Sequence, residues 1–197
     1  MKYIDDEIRR IKSEVLKLHD KAERAVKLCF ISMKGDKSVV REIARLEQDS
    51  DELDAKIHDY CSIFILRYQP FAKDLRFALG IMRISSIYER IIDLAQEVAL
   101  YECEFRDKIF EAEEPLVEMF RTLRENYDSE NVDKEKMIAL DNIVDQIYIE
   151  LMEEIEKDFR CVEEVLVTRH IERIGDLLLK VATRLYYVYK GKWIWIK

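Results

Sequence analysis

Acidic residues four apart recur at four places in this chain: Glu47 with Asp51, Glu89 with Asp93, Asp141 with Asp145, and Glu172 with Asp176. On a helix, residues four apart share a face one turn apart, so each pair can point two carboxylates at one ion. Carboxylates gathered in this way repel one another unless a cation lies between them. All-oxygen donors suit hard or intermediate cations such as magnesium, manganese and iron, with zinc also admissible. The plain alternative is a solvated acidic face neutralised by Arg90, Arg173 and neighbouring lysines. Asp49 and Asp54 lie within a turn of the first pair and would add oxygens there, whereas Asn142 and Gln146 flank the third. Affinity for hard cations follows the number of anionic ligands, so the first site is expected to be the tighter.

Helical periodicity supplies the elements that must carry these acids. Helices are expected over residues 2–33, 36–68, 71–104, 115–128, 132–157 and 161–190, with Gly35, Gln69-Pro70, Pro115 and Gly191 as the punctuation between or after them. Six helices on short connections form antiparallel neighbours, giving an all-α fold of two three-helix bundles, residues 1–106 and 107–197. The apolar stripe of the second helix is Leu46, Leu53, Ile57 and Phe64, and that of the third includes Phe77, Ile81, Ile84 and Tyr88. At about 100° per residue the acids fall on the flank of each stripe rather than in the core. Asp51 before the Gln69-Pro70 turn and Glu89 after it stand at almost equal distances along the chain. An antiparallel hairpin therefore brings both pairs to one level, within about 1.5 Å of axial rise. In the second half, Asp145 and Glu172 come level if the chain turns near Asp158-Phe159, where no glycine or proline marks the turn.

Composition removes the main competing chemistries. Only 4 glycines and 2 prolines in 197 residues leave no material for hairpin-rich β folds or Gly-rich phosphate loops. A net charge of −8 and a pI near 5.1 argue against nucleic acid as a partner. None of His19, His58 and His170 follows a glutamate by three residues, so the ferritin-like di-iron pattern is missing. No Ser-His-Asp grouping or nucleophile elbow is visible, which leaves a non-enzymatic protein ahead of a metal-dependent hydrolase. Cys29, Cys61, Cys103 and Cys161 are widely separated, without CxxC, and are expected to be reduced thiols acting as small hydrophobes. The chain starts acidic, without the apolar segment of a signal peptide. No apolar run approaches the roughly 20 residues of a membrane span, so a cytoplasmic protein is expected. The tail from Lys192 through Trp193, Ile194 and Trp195 is expected to fold back on its own bundle rather than dock elsewhere.

The two halves repeat each other. Tyr88-Glu89-Arg90-Ile91-Ile92-Asp93 matches Ile171-Glu172-Arg173-Ile174-Gly175-Asp176. Together with Gln69-Pro70-Phe71-Ala72-Lys73-Asp74-Leu75-Arg76, these segments resemble the PhoU family of phosphate-uptake regulators. The resemblance spans nearly the whole chain. It implies two pseudo-symmetric three-helix bundles that bind multinuclear iron or zinc through the acidic pairs, Glu47, Asp51, Glu89 and Asp93 in one half and Asp141, Asp145, Glu172 and Asp176 in the other. It also implies an adaptor that restrains high-affinity phosphate import. The partners would be the ATPase subunit of a phosphate ABC transporter and a sensor histidine kinase, and the protein itself would be a homodimer, peripheral at the inner membrane face through those partners. Ile92 stands where the family has glycine, Asp141 where it has glutamate, and the second half has no counterpart of the Gln69–Arg76 stretch. Asp74 suits the helix dipole, and Arg76 is a candidate phosphate or carboxylate contact. A helical scaffold that binds no metal is the alternative reading.

Overall fold

The computed structural model describes residues 2–193. Its helices are α1 (Lys2–Met33), α2 (Val40–Tyr68), α3 (Lys73–Leu100), α4 (Glu113–Ser129), α5 (Lys134–Lys157) and α6 (Val162–Lys190). Short 3-10 turns at Lys37–Val39 and Asp107–Ala112 precede α2 and α4, and no strand occurs among the described residues.

The expected breakers act as their chemistry dictates. Gly35 takes a φ of 101°, which releases the chain from α1, and Asp36 then caps the following turn by accepting from the Ser38 N–H at 3.0 Å. At the α2–α3 connection Gln69 and Ala72 both hold φ near 45°, so Pro70 sits in a tight, left-handed corner. Some helix ends differ from expectation. The second helix starts at Val40, because the turn that Asp36 caps is 3-10 rather than α. The third stops at Leu100 rather than 104, because Tyr101 turns to extended backbone. The fourth begins at Glu113, two residues before Pro115, since a first-turn N–H has no intrahelical partner and proline loses nothing there.

α1, α2 and α3 pack on one another, as do α4, α5 and α6, and the two sets meet where α3 runs along α6 and α1 touches α4. One apolar core runs through all six helices, from Ile11 and Val15 to Leu178 and Leu185. The α3–α6 crossing is tight at Gly80, where an added Cβ would collide with Val188. Inside the core, His19 Nδ1 meets the Tyr88 hydroxyl at 2.9 Å, and burial pushes the pKa of that imidazole down to about 3, so it is neutral.

The turn between α5 and α6, which lacks glycine and proline, is fixed by residues from the α3–α4 linker. Arg106 donates to the Asp158 carbonyl and to the buried carboxylate of Glu164, whose Oε1 also accepts the Arg106 N–H at 3.0 Å. Beside this pair Cys103 and Cys161 form a disulfide. That corrects the expectation of four reduced thiols. Spacing along the chain does not reveal a pairing that arises only when the linker returns to the start of α6. Cys29 and Cys61 are free and buried as expected, and burial pushes the Cys61 thiol up to about 12.

Candidate functional site

The hairpin of α2 and α3 brings the first two acidic pairs together. Glu89 is pushed up to about 7 by burial first and then by the charges of Asp93, Asp51 and Asp54, with Arg90 opposing. Glu47 is raised by burial and by Asp51 and Asp93. Glu47 and Glu89 thus each feel an acid of the facing helix, in keeping with the level register seen in the Asp54–Ser86 and His58–Met82 contacts. Arg90 partly offsets the charge by donating to Asp93 at 3.0 Å. Of the two accessory acids, Asp54 joins the group while taking a weak contact from the Ser86 hydroxyl at 3.4 Å and standing 3.5 Å from His58. Asp49 is turned toward α1, where Lys21 holds it at 2.6 Å.

In the second half, α5 and α6 place Asp141, Asp145, Glu172 and Asp176 in a similar group. Asp141 is pushed up to about 7 by burial, then by Asp145, Asp176 and Glu172, with Lys180 opposing. Asp145 and Glu172 are raised too, by burial and by Asp176. Asp141 is buried, with only 8% of its surface exposed, so this acid does not lie on a solvated flank as its angular offset suggested. Gly175 on α6 packs against it. Its bare Cα faces Val144 and Asp141, and a Cβ there would come within 3.3 Å of Val144 and 3.5 Å of the Asp141 Oδ1. The missing side chain leaves room for the close approach of α5 to α6 beside this carboxylate. Asp141 Oδ1 and Glu172 Oε2 are buried with no hydrogen-bond partner.

Buried, partnerless carboxylate oxygens such as those of Asp141 and Glu172 are donors of the kind a hard cation takes. The groups stand at charge-coupling range rather than ligating range. Among the described residues no three His, Cys, Asp or Glu side chains are drawn tightly enough around one point to hold a metal ion.

Asp74 and Arg76 lie elsewhere, about 20 Å along α3 from Glu89 at helical rise. Asp74 sits in the first turn of α3 without a capping bond. The Arg76 guanidinium packs over Gly191 at the end of α6, with its Nε buried and unpartnered. A surface groove of about 1250 Å³ between α1, α4 and α5 contains none of the eight paired acids. Sequence reasoning missed the contact of His170 Nε2 with Glu97 at 3.2 Å across the α3–α6 boundary, as well as Arg106 and the disulfide. Each joins residues far apart in the chain whose types carry no periodic signal. The tail is described only to Trp193, whose ring stacks on Tyr187 at 4.2 Å, and the expectation for Ile194 and Trp195 falls outside the described residues. Among the described residues no helix is long and apolar enough to cross a membrane.

The chain is 50% identical, over the full length of both, to the "Phosphate-specific transport system accessory protein PhoU homolog" of Archaeoglobus fulgidus. It is 27% identical to the homolog of Synechocystis, covering 96% of this chain and 92% of that one. The crystal structure of the phosphate transport system regulatory protein PhoU from Streptococcus pneumoniae has the same fold, with a TM-score of 0.85 over 98% of this chain and 100% of that one at 20% identity. PhoU from Pseudomonas aeruginosa superposes with a TM-score of 0.83 at 21% identity, covering 95% of this chain and 99% of that one. The PhoU domain profile matches residues 5–101, the segment that carries α1, α2 and α3. With that match and a relative half identical from end to end, this chain belongs to the PhoU family.

Proposed function

We propose that this protein is a metal-binding accessory protein of a phosphate transport system that restrains phosphate import. The carrying observation is the doubled acidic group: four carboxylates gather in each half, Glu89 and Asp141 are pushed up to about 7 by burial and by their acidic neighbours, and Asp141 Oδ1 and Glu172 Oε2 are buried without partners. Glu47, Asp51, Glu89 and Asp93 would hold metal in the first half, and Asp141, Asp145, Glu172 and Asp176 in the second. Iron or zinc in multinuclear form is the proposed cargo, with magnesium or manganese as the simpler oxygen-seeking alternatives. A bound cation would remove the repulsion between facing helices and supply a rigid, charged face for a partner. The relatives' shared designation as accessory proteins supports the role in phosphate transport. The proposed contacts are the transporter's ATPase subunit and a sensor histidine kinase, made from the cytoplasmic side by a homodimer.

Elemental analysis of protein expressed with supplemented metals tests the first part. Stoichiometric iron, zinc or manganese is expected, and its loss on combining Asp51→Asn, Asp93→Asn, Asp145→Asn and Asp176→Asn. Metal-free protein would instead support the scaffold reading, which the lack of a ligating triad among the described residues favours. Deleting the gene should raise phosphate uptake in phosphate-replete cells. Unchanged uptake would overturn the regulatory reading.

A further inference from the structure

The acids of this chain are unevenly placed. Residues 60–88 and 177–193 contain a single carboxylate, Asp74, although the whole chain has 41. The fold brings these two segments to one end of the molecule. Arg76 of α3 packs on Gly191, and Gly80 packs on Val188, so the last turns of α6 lie beside the first turns of α3. His58 contacts the Met82 carbonyl at 3.0 Å, a register that sets the end of α2 level with the same turns.

This end is basic. Arg67, Arg83, Arg184, Lys190 and Lys192 have no carboxylate within ion-pair range among the described residues, and Lys73 reaches Glu130 only at 3.7 Å. Arg83 and Arg184 are close enough that their charges oppose each other. At the neighbouring start of α1, Asp6 and Glu7 are met by Arg9 and Arg10, while Asp5 joins Asp74 and Glu130 around the small pocket beside Lys73, so the acids at this end are gathered at that pocket and are fewer than its cations. Elsewhere the cations are mostly consumed in pairs, as in Lys21–Asp49, Arg24–Glu42 and Lys108–Glu150.

The same end is apolar at its tip. Phe71 is 86% exposed and Leu66 78%, with Ile63 and Leu79 about half exposed beside them. The Trp193 ring lies under the Arg184 guanidinium at 4.5 Å and is itself half exposed. Phe71 stands at the corner where Gln69 and Ala72 hold left-handed backbone, so the ring projects from a fixed turn. Large apolar side chains ringed by unpaired cations are what an anionic bilayer surface accepts: the rings enter the headgroup boundary and the cations meet lipid phosphates. An acidic protein would satisfy the cations but gives no reason for isolated, protruding side chains at a hairpin tip.

We propose that the α2–α3 tip, together with the end of α6, docks this protein directly on a membrane surface bearing anionic lipids. The test is co-sedimentation of the full-length protein with vesicles of phosphatidylcholine alone and of phosphatidylcholine mixed with phosphatidylglycerol. Binding to the mixed vesicles is expected to exceed binding to phosphatidylcholine by about 10-fold or more and to fall as salt rises. Leu66→Ser with Phe71→Ser, and separately Arg67→Glu with Lys192→Glu, should each reduce it by about 10-fold. These side chains are exposed, so helical circular dichroism should not change, and Ile143→Ser on α5 should bind like the parent. Absence of binding to the anionic vesicles, equal binding to both vesicle types, or variants that bind as well as the parent would overturn the proposal. So would capture by an acidic polypeptide such as polyglutamate without any vesicle binding.

Discussion

Arg106 on the α3–α4 linker and Glu164 in the first turn of α6 form an ion pair in which the carboxylate is fully buried and the guanidinium nearly so. Removing one partner of such a pair strands the other charge away from water, which is far costlier than losing the attraction itself. Glu164→Ala is therefore expected to destabilise the fold by about 3–5 kcal/mol. Arg106→Met combined with Glu164→Leu should recover a large part of that loss. Denaturant unfolding of the three proteins measures it, and a double variant worse than the single one would contradict the account.

The disulfide between Cys103 and Cys161 closes a long loop beside that pair, with a sequence separation of 58. A cross-link over a loop of that length restricts the unfolded chain, and removing it costs about 2–4 kcal/mol. Cys103→Ser with Cys161→Ser should lower the melting temperature by roughly 5–15 °C. Thiol titration under denaturing conditions should count two free thiols before reduction and four after, since Cys29 and Cys61 are unpaired.

Glu89 and Asp141 lead to a pH dependence. Folding raises their pKa values from 4.5 and 3.8 to about 7. Between those limits the folded chain keeps protons that the unfolded chain has released. Their contribution to stability is therefore greatest at acid pH and is lost as pH rises through 7. Glu14, Glu118 and Glu150, which hydrogen bonds and lysines hold below the usual range, act in the opposite direction lower on the scale. Both raised groups keep some contact with water, so solvent screening discounts the full shift. In chelator, Glu89→Gln with Asp141→Asn should be the more stable protein at pH 8, by roughly 2 kcal/mol, and the gap should close toward pH 4. A difference that is flat across this range would refute the assignment.

The ranking of the two proposed metal sites depends on how the surrounding charges are used. Lys21 takes Asp49 and Arg90 takes one oxygen of Asp93; Arg169 likewise takes one oxygen of Glu172, but Glu172 Oε2 and Asp141 Oδ1 stay buried without a partner. The α5–α6 group is therefore expected to hold its cation longer against chelator than the α2–α3 group. Under limiting metal, Asp145→Asn with Asp176→Asn should lose more bound metal than Asp51→Asn with Asp93→Asn. The opposite order would restore the ranking by carboxylate count.

Metal added back should also report on the helices. A cation bound as proposed between α2 and α3 would relieve the repulsion of Glu47 and Asp51 with Glu89 and Asp93, so chelator should lower the melting temperature at neutral pH. The loss should be larger at low salt than at high salt, where screening softens the repulsion. Asp93→Asn should blunt it.

Helix identity, the breakers and the acidic pairs are local properties, legible in the chain alone. Gly35 and Gly191 end helices because their backbone takes the left-handed region, and Glu89 and Asp93 share a face because of the helical repeat. Even the level meeting of the first two pairs followed from counting outward from Pro70. Which carboxylates remain in water is a matter of packing. Asp49 and Asp54 are chemically alike, yet the packing of α1 on α2 delivers Lys21 to Asp49 while Asp54 turns toward α3. The same holds for Asp141, buried where α5 packs closely against Gly175 of a different helix, and for Cys103, Arg106 and Phe71, whose partners or exposure depend on where distant segments come to rest. Periodicity fixes an angle around one helix axis, but burial and pairing depend on what the neighbouring helices bring to that angle.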